Sequence, residues 1–245
     1  MSGAQPQVVR HADAEELADR AAVRLLACLI ELQGDDRVAQ VCLTGGRIAQ
    51  AIYARLGELV AGSELDPSRL ELWWGDERFV PTDDPERNAG PTLALLARHF
   101  PLDPARTHPM PSADGLIDAA ASAATYAKEL GDTRFDLCLL GLGPDGHVAS
   151  IFPNHPSGEP TTQSVIGVSD APKPPPERIS LTIPTINESS QVWFLVSGTE
   201  KSNALARCLA GDTSLPAARV AGRDRTLWLI DQAAASELPY FDCLS

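Results

Sequence analysis

Apolar residues along the chain form short unbroken runs, separated by stretches in which apolar positions recur every three or four residues. The short runs are typical of strands buried in a parallel sheet, and the recurring pattern is typical of amphipathic helices. Strands are predicted at 38–43, 70–74, 135–142, 163–169, 178–183, 191–197 and 226–230. Helices are predicted at 13–33, after residue 47, and at 91–100, 117–130, 198–209 and 231–238. This alternation predicts a mainly parallel sheet with helices on both faces, and we expect residues 1–245 to form one α/β domain.

The stretch 135–153, FDLCLLGLGPDGHVASIFP, places polar chemistry directly after the most apolar predicted strand. Residues 144–146, Pro-Asp-Gly, predict a turn, and Asp145 and His147 lie there two residues apart with glycines beside them. Ligands bind at the carboxyl ends of strands in open α/β sheets, so these residues are candidates for a site. A Pro-Asp-Gly turn near a histidine also occurs in loops without function, and the pair alone does not establish catalysis.

Two other predicted strands also end in polar loops. Strand 38–43 runs into Thr44-Gly45-Gly46-Arg47 and then a helix, an order in which backbone N–H groups and a helix N-terminus bind phosphate. An ordinary tight βα loop has the same pattern, and two glycines are weak evidence. Strand 70–74 runs into Asp76, Glu77 and Arg78. Three adjacent charges favour the carboxyl edge of the sheet over its interior, and a solvated, self-paired turn is the alternative.

The charge of the chain limits its partners. The formal net charge is −13, and only three of the 20 basic residues are lysines. Such a chain repels nucleic acid and anionic membranes, so a local cluster of basic residues would serve a small anionic ligand. Convergence of the three polar loops would gather Arg47 and Arg78, and Arg178 and Lys201 could add to them from the second half of the chain.

The cysteines and the apolar runs indicate the cellular compartment in which the protein is found. The five cysteines form no C-x-x-C pair, and Cys42 and Cys138 lie inside apolar runs, so neither a disulfide framework nor a zinc site is predicted. Buried thiols favour a reducing cytoplasm. No apolar run reaches the roughly 20 residues of a membrane-spanning helix, and no secretory signal is visible. We expect a cytoplasmic protein.

Several motifs together resemble the 6-phosphogluconolactonase family, within the group that includes glucosamine-6-phosphate deaminases. The matching stretches appear in family order and cover most of the chain: LTGG at 43–46, WGDERFVP at 74–81, GLGPDGHVASIFP at 141–153, RISLTIPTIN at 178–187, VWFLVSGTEK at 192–201 and LWLIDQAAASEL at 227–238. Two places in the chain depart from the family pattern. The family often has Ser or Thr before Pro after the glycine pair, where this chain has Arg47-Ile48, and Thr after the histidine, where it has Val148.

The resemblance implies a Rossmann-like, NagB/RpiA-like α/β fold and hydrolysis of 6-phospho-D-glucono-1,5-lactone to 6-phosphogluconate, without a metal or other cofactor. It also implies that His147 is the general base and that Asp145 orients it or stabilises its charged form. The substrate and its phosphate are then expected at residues from five stretches: Thr44, Gly45, Gly46, Arg47, Asp76, Glu77, Arg78, Asn88, Arg178 and Lys201.

Two other functions fit the same stretches. One is a sugar-phosphate isomerase or deaminase of the same fold group, in which an acid of the Asp76–Glu77 region would move protons at carbon. The other is a non-catalytic sugar-phosphate sensor that uses the same pocket. The stretches RISLTIPTIN and VWFLVSGTEK favour the lactonase over the first, and the Asp145/His147 pair argues against the second. A monomer or a small homo-oligomer that binds a sugar-phosphate lactone is the expectation.

Overall fold

The computed structural model describes residues 6–115 and 118–239 of the 245-residue chain. The predicted start of a helix at residue 117 lies outside the described residues. The strands of this part are β1 Gln7–His11, β2 Ala39–Leu43, β3 Leu70–Trp74, β4 Asp76–Arg78, β5 Thr107–His108, β6 Leu137–Gly141, β7 Val165–Val168, β8 Arg178–Leu181, β9 Gln191–Val196 and β10 Arg225–Asp231. Its α-helices are α1 Ala14–Leu32, α2 Arg47–Val60, α3 Ala89–Leu96, α4 Ala119–Leu130, α5 Ile183–Asn187 and α6 Ser202–Leu209.

Seven strands form a parallel sheet in the order β1-β10-β9-β6-β2-β3-β5. The predicted, mainly parallel α/β fold is therefore confirmed. A smaller antiparallel sheet, β4-β8-β7, lies beyond the carboxyl end of β3, because β4 starts two residues after β3 ends. Within the described part of the chain, no helix combines the length and the apolar character needed to cross a membrane.

The unbroken apolar runs fill both faces of the sheet. In β6, Leu137 and Leu139 pack in the cluster that contains α1 and α2, whereas Cys138 and Leu140 pack in the cluster that contains α4 and α6. Successive side chains of a strand point to opposite faces, so a strand covered on both sides must be apolar at every position. Helices therefore cover both faces of the sheet, as the sequence predicts.

Helix α1 shows how local sequence sets an element boundary. The carboxylate of Asp13 accepts the N–H of Glu16 at 2.8 Å, and the carboxylate of Glu16 accepts the N–H of Ala12 at 2.7 Å. The first bond satisfies one of the N–H groups that the first turn of a helix leaves without partners, and the second ties the residue before the cap to the same turn. Leu17, Ala21 and Leu25 are buried against the sheet at helical spacing.

The sequence interpretation was wrong about several smaller elements, and it predicts neither β4 and β5 nor the short helix α5. It predicts no strand at Gln7–His11, where two valines flanked by polar residues form the edge strand β1. The helices expected at 198–209 and 231–238 are shorter: a 3-10 turn at Thr199–Lys201 precedes α6, and Ala234–Glu237 is a 3-10 turn. The carboxylate of Asp231 accepts the Ser197 hydroxyl at 2.6 Å and the Ala234 N–H at 2.7 Å, which fixes both segments by tertiary contacts.

Candidate active site

A cavity lies where the carboxyl ends of four neighbouring strands meet. Strands β9, β6, β2 and β3 are adjacent and parallel, so the loops that follow them share one edge of the sheet. The chain passes from β2 to β3 on one side, and β6 lies on the other side of β2, which is the switch point where open α/β sheets form a crevice. The cavity has a volume of about 890 Å³. The structure brings the predicted loops at 44–47, 75–81 and 141–147 together, because residues of all three line the cavity.

The cavity is positively charged inside a strongly acidic chain. Among the described residues that line it, Arg47, Arg55, Arg78, Lys173, Arg178 and Lys201 are basic, and Glu15, Asp76 and Glu200 are acidic. Two of the three lysines of the chain are in this set. The local excess of positive charge is suited to a small anion, because a cavity with one sign of charge concentrates ligands of the opposite sign.

Asp145 and His147 form a hydrogen-bonded pair at the cavity. Oδ1 of Asp145 lies 2.6 Å from Nδ1 of His147. The imidazole ring also packs on Phe152, with 4.8 Å between ring centroids. Within the described ranges, Nε2 of His147 makes no hydrogen bond, and His147 lines the cavity. The arrangement leaves one ring nitrogen fixed and the other available to a ligand or a water molecule.

The glycines of this loop are there for close packing and for backbone conformation. A Cβ at Gly143 would lie 1.9 Å from Nδ1 of His147 and 2.5 Å from Oδ1 of Asp145, so only glycine leaves room for the pair. Gly146 has a φ of 84°, which side-chain-bearing residues rarely adopt. The Gly143 N–H donates to the carbonyl of His147 at 2.9 Å and closes the turn.

The environment of Asp145 holds it in the charged form. Partial burial alone would raise the pKa of its carboxyl, but the hydrogen bond and charge of His147, with the nearby Lys173, outweigh burial and lower the pKa well below its usual range. Asp145 is therefore a carboxylate at neutral pH. A carboxylate has only acceptor sites, so the proton of the 2.6 Å hydrogen bond belongs to Nδ1 of His147.

Lys173 is a site residue that the sequence analysis missed. It lies in the stretch 171–177, APKPPPE, whose prolines predict only a stiff connection between strands. Its Nζ lies 3.2 Å from Oδ1 of Asp145 and 3.3 Å from Nδ1 of His147. The rarity of lysine in this chain was the one available signal, and it did not reveal which loop would fold back over the cavity.

The glycine loop after β2 is anchored on both sides. The hydroxyl of Tyr53 contacts the N–H and the carbonyl of Thr44, both at 3.1 Å. Gly45 packs so closely on Asn88 that a Cβ would lie 1.9 Å from its Oδ1. Gly46 has a φ of 101°, and no side chain caps α2 at this residue. First-turn N–H groups of α2 therefore remain for a ligand, and residues 44–47 all line the cavity.

Asp76 and Asn88 form the wall beside this loop. Oδ2 of Asp76 accepts the hydroxyl of Ser150 at 2.7 Å, and the amide of Asn88 donates to the Asp76 carbonyl at 3.0 Å. Arg78 lines the same wall and donates to the carbonyl of Glu86. These predicted residues do meet at the cavity.

Glu77 does not reach the cavity, which corrects the expectation that it binds substrate. Its side chain is 0% exposed. Its carboxylate accepts the N–H groups of Asn88 at 2.6 Å and Ala89 at 2.9 Å, and it pairs with the buried Arg87 at 3.5 Å. Burial raises the pKa of Glu77, although the backbone donors and Arg87 oppose the rise. Alternation along β4 explains the position, since Asp76 and Arg78 face the cavity and Glu77 points away.

Arg178 and Lys201 both line the cavity, with different freedom to bind a ligand. The Nε of Arg178 donates to the carbonyl of Pro175, and its Nη2 donates to the carbonyls of Lys173 and Pro174. Much of its donor capacity therefore holds the neighbouring loop. Burial lowers the pKa of the Lys201 ammonium, and the nearby Lys173 and Arg47 lower it further against the opposing Glu200.

Comparison with known proteins places this architecture in a family. The family model of glucosamine-6-phosphate isomerases/6-phosphogluconolactonase matches residues 12–228. A 6-phosphogluconolactonase of Streptomyces coelicolor is 48% identical over 248 aligned residues, with 96% of this chain and 95% of that protein covered.

Two solved structures are similar in fold. A 6-phosphogluconolactonase from Thermotoga maritima has a TM-score of 0.82 at 28% identity, covering 93% of this chain and all of that one. Another from Trypanosoma cruzi has a TM-score of 0.83 at 26% identity, covering 98% of this chain and all of that one. The chain therefore belongs to the glucosamine-6-phosphate isomerase/6-phosphogluconolactonase family.

Proposed function

We propose that this protein is a 6-phosphogluconolactonase, which hydrolyses 6-phospho-D-glucono-1,5-lactone to 6-phospho-D-gluconate. The observation that carries the proposal is the Asp145–His147 pair, joined at 2.6 Å at a cationic cavity. The pair supplies a base for water, and the cations supply a counter-charge for a phosphate. The 48% identical relative named as a lactonase supports the same substrate.

His147 acts as the general base. Asp145, held as a carboxylate, accepts the Nδ1–H, so the lone pair of Nε2 is free to take a proton. A water molecule attacks C1 of the lactone and gives its proton to Nε2, and a tetrahedral intermediate forms. When the C1–O bond of the ring breaks, Nε2 returns the proton to the ring oxygen. The sum is the addition of one water, and His147 is neutral again.

The phosphate binds among the cations and the glycine loop. The uncapped first turn of α2 offers N–H groups next to Arg47, and Arg78, Arg178 and Lys201 line the other walls. The carboxylate of Asp76 accepts hydrogen bonds from the sugar hydroxyls, and the amide of Asn88 donates hydrogen bonds to them. Glu77 contributes by holding the backbone of residues 88 and 89 in place. The alternative isomerase or deaminase reaction needs an acid of the Asp76–Glu77 region to move protons at carbon. Glu77 is buried away from the cavity, so Asp76 is the one acid of the two that faces it.

Turnover of the freshly generated lactone, followed by NMR against spontaneous hydrolysis, tests the function. Wild-type protein is expected to hydrolyse it rapidly, and His147→Ala to lose at least ~10²-fold in kcat/KM, the low end of general acid–base contributions. Circular dichroism checks that the variant is folded. Turnover by both proteins would remove His147 from its role, and no turnover by folded wild-type protein would overturn the lactonase.

The location, the state of assembly and the partner of the protein belong to the same proposal. Cys28, Cys42, Cys138 and Cys208 are buried free thiols, which supports a reducing, cytoplasmic location. A monomer or a small homo-oligomer is the proposed state of assembly. A small sugar-phosphate lactone is the partner, and the overall charge of −13 argues against nucleic acid.

A further inference from the structure

Lys173 contacts both members of the Asp145–His147 pair. Oδ1 of Asp145 lies 3.2 Å from its Nζ and 2.6 Å from Nδ1 of His147, and the Nζ and Nδ1 lie 3.3 Å apart. One carboxylate oxygen therefore accepts from an ammonium and from a ring N–H. We infer that Lys173 is a positioning residue that acts through this pair. Its positive charge fixes Asp145 as the acceptor of the ring N–H and disfavours a second proton on the ring, which extends activity toward lower pH.

Hydrogen bonds hold the backbone around Lys173 in place, in a segment that we call the strap (residues 173–178). The guanidinium of Arg178 donates hydrogen bonds to the carbonyls of Lys173, Pro174 and Pro175 at 3.0–3.1 Å. The Ala171 N–H donates to the Pro176 carbonyl at 3.0 Å and closes the base of the loop. Proline rings restrict φ, so this strap has little freedom to move the lysine away. These contacts therefore fix the backbone that carries Lys173.

The balance of charge at the ring gives Lys173 an effect opposite to that of Asp145. A carboxylate beside an imidazole favours its protonation, and a cation beside it disfavours protonation. Other charged groups that line the cavity come from five elements: Glu15 of α1, Arg47 and Arg55 of α2, Asp76 and Arg78 of β4, Arg178 of β8, and Glu200 and Lys201 of the 199–201 turn. Within the described ranges, Asp145 accepts the hydrogen bond of the ring N–H, and the ammonium of Lys173 lies 3.3 Å from the same ring nitrogen.

The inference deepens the proposed function and rests on it, so its test includes a measurement that needs no turnover. The first measurement is the pH dependence of kcat/KM for wild type, Lys173→Met and Lys173→Arg, corrected for spontaneous hydrolysis. The midpoint of the acid limb is expected to rise by about one pH unit in Lys173→Met, the low end for an adjacent charge because the lysine side chain is 38% exposed. Below both midpoints, a one-unit rise lowers the relative activity about tenfold.

The conservative variant and the partner variant sharpen the result. Lys173→Arg keeps the charge and is expected to keep the wild-type midpoint. Asp145→Asn removes the opposite charge and is expected to move the midpoint downward. A loss of activity in Lys173→Met that is equal at all pH values would mean that the lysine only supports the structure, and it would overturn the inference.

An NMR titration of the His147 ring signals, assigned by their loss in His147→Ala, separates the two proposals. The titration midpoint is expected to rise in Lys173→Met and to stay at the wild-type value in Lys173→Arg. An unchanged or lower midpoint in a folded Lys173→Met protein overturns the inference whatever the activity. A raised midpoint in a protein that does not hydrolyse the lactone supports the charge effect of Lys173 and overturns the proposed function instead. Should Lys173→Met not fold, Lys173→Gln gives the same comparison.

Discussion

Two histidines of this protein sit beside carboxylates, and their surroundings give them different capabilities. His147 has one ring nitrogen bound, by Asp145 at 2.6 Å. His108 has both nitrogens bound, Nε2 by Glu71 at 2.6 Å and Nδ1 by Glu129 at 2.7 Å. A base needs a free nitrogen within reach of its substrate, so the first histidine can do proton transfer and the second cannot.

The ring contacts of the two histidines differ in the same sense. His108 stacks flat on Trp73, with 3.8 Å between centroids, and stands outside the residues that line the cavity. His147 leans on Phe152 at an angle of 46° and opens to the cavity. The comparison teaches that a histidine–carboxylate pair is evidence of catalysis only when the second nitrogen faces a place that a substrate can occupy.

The largest expected effect comes from crowding the catalytic pair. Gly143→Ala would place a Cβ 1.9 Å from Nδ1 of His147 and 2.5 Å from Oδ1 of Asp145, so the pair must leave its observed geometry. We expect lactone hydrolysis to fall at least ~10²-fold, because a displaced base loses its proton-transfer contribution. Gly90→Ala is the matched control, since a Cβ there would meet nothing within 4 Å and Gly90 is exposed outside the cavity lining. Equal activity in the two variants would show that the observed pair geometry does not matter for catalysis.

An intermediate effect is expected from removing the other histidine, and it should appear in stability. His108→Ala deletes two hydrogen bonds to carboxylates and the stack on Trp73. We expect the free energy of unfolding to fall by about 1–3 kcal/mol, with kcat/KM unchanged at a temperature where the protein is folded. Urea denaturation and turnover measure the two quantities. A large loss of activity without a loss of stability would contradict the assigned difference between the histidines.

The smallest effect concerns acid stability and the charged state of Asp145. The folded protein lowers the pKa of this carboxyl, so its contribution to stability is present above its unfolded value, near 3.9, and is lost as pH falls through the folded pKa. The difference in melting temperature between wild type and Asp145→Asn is therefore expected to narrow below about pH 4. The exposed Asp83 serves as a control by Asp83→Asn. A difference that is the same from pH 7 to pH 3 would contradict the lowered pKa.

The sequence predicted the sheet well because burial on both faces leaves a local signature. Strand 70–74 agrees with the structure at both ends, and the strand expected at 191–197 is one residue shorter in the structure. The Asp145/His147 pair was also predictable, since its members lie two positions apart in one loop. The expectation that Glu77 binds substrate was wrong, because side chains alternate along a three-residue strand and this alternation decides which acid faces the cavity. The run of three charges in the sequence does not reveal it.

What the sequence determined by itself is local: the amphipathic helices, the apolar strands, the turn that pairs Asp145 with His147, and the family motifs. What only the tertiary structure decided depends on contacts between distant segments. Lys173 reaches Asp145 across 28 positions of the chain, and Glu71 binds His108 across 37. A charge or a hydrogen bond acts over a few ångströms in space, whatever the distance along the chain, so a site of this kind becomes complete only when the sheet edge assembles.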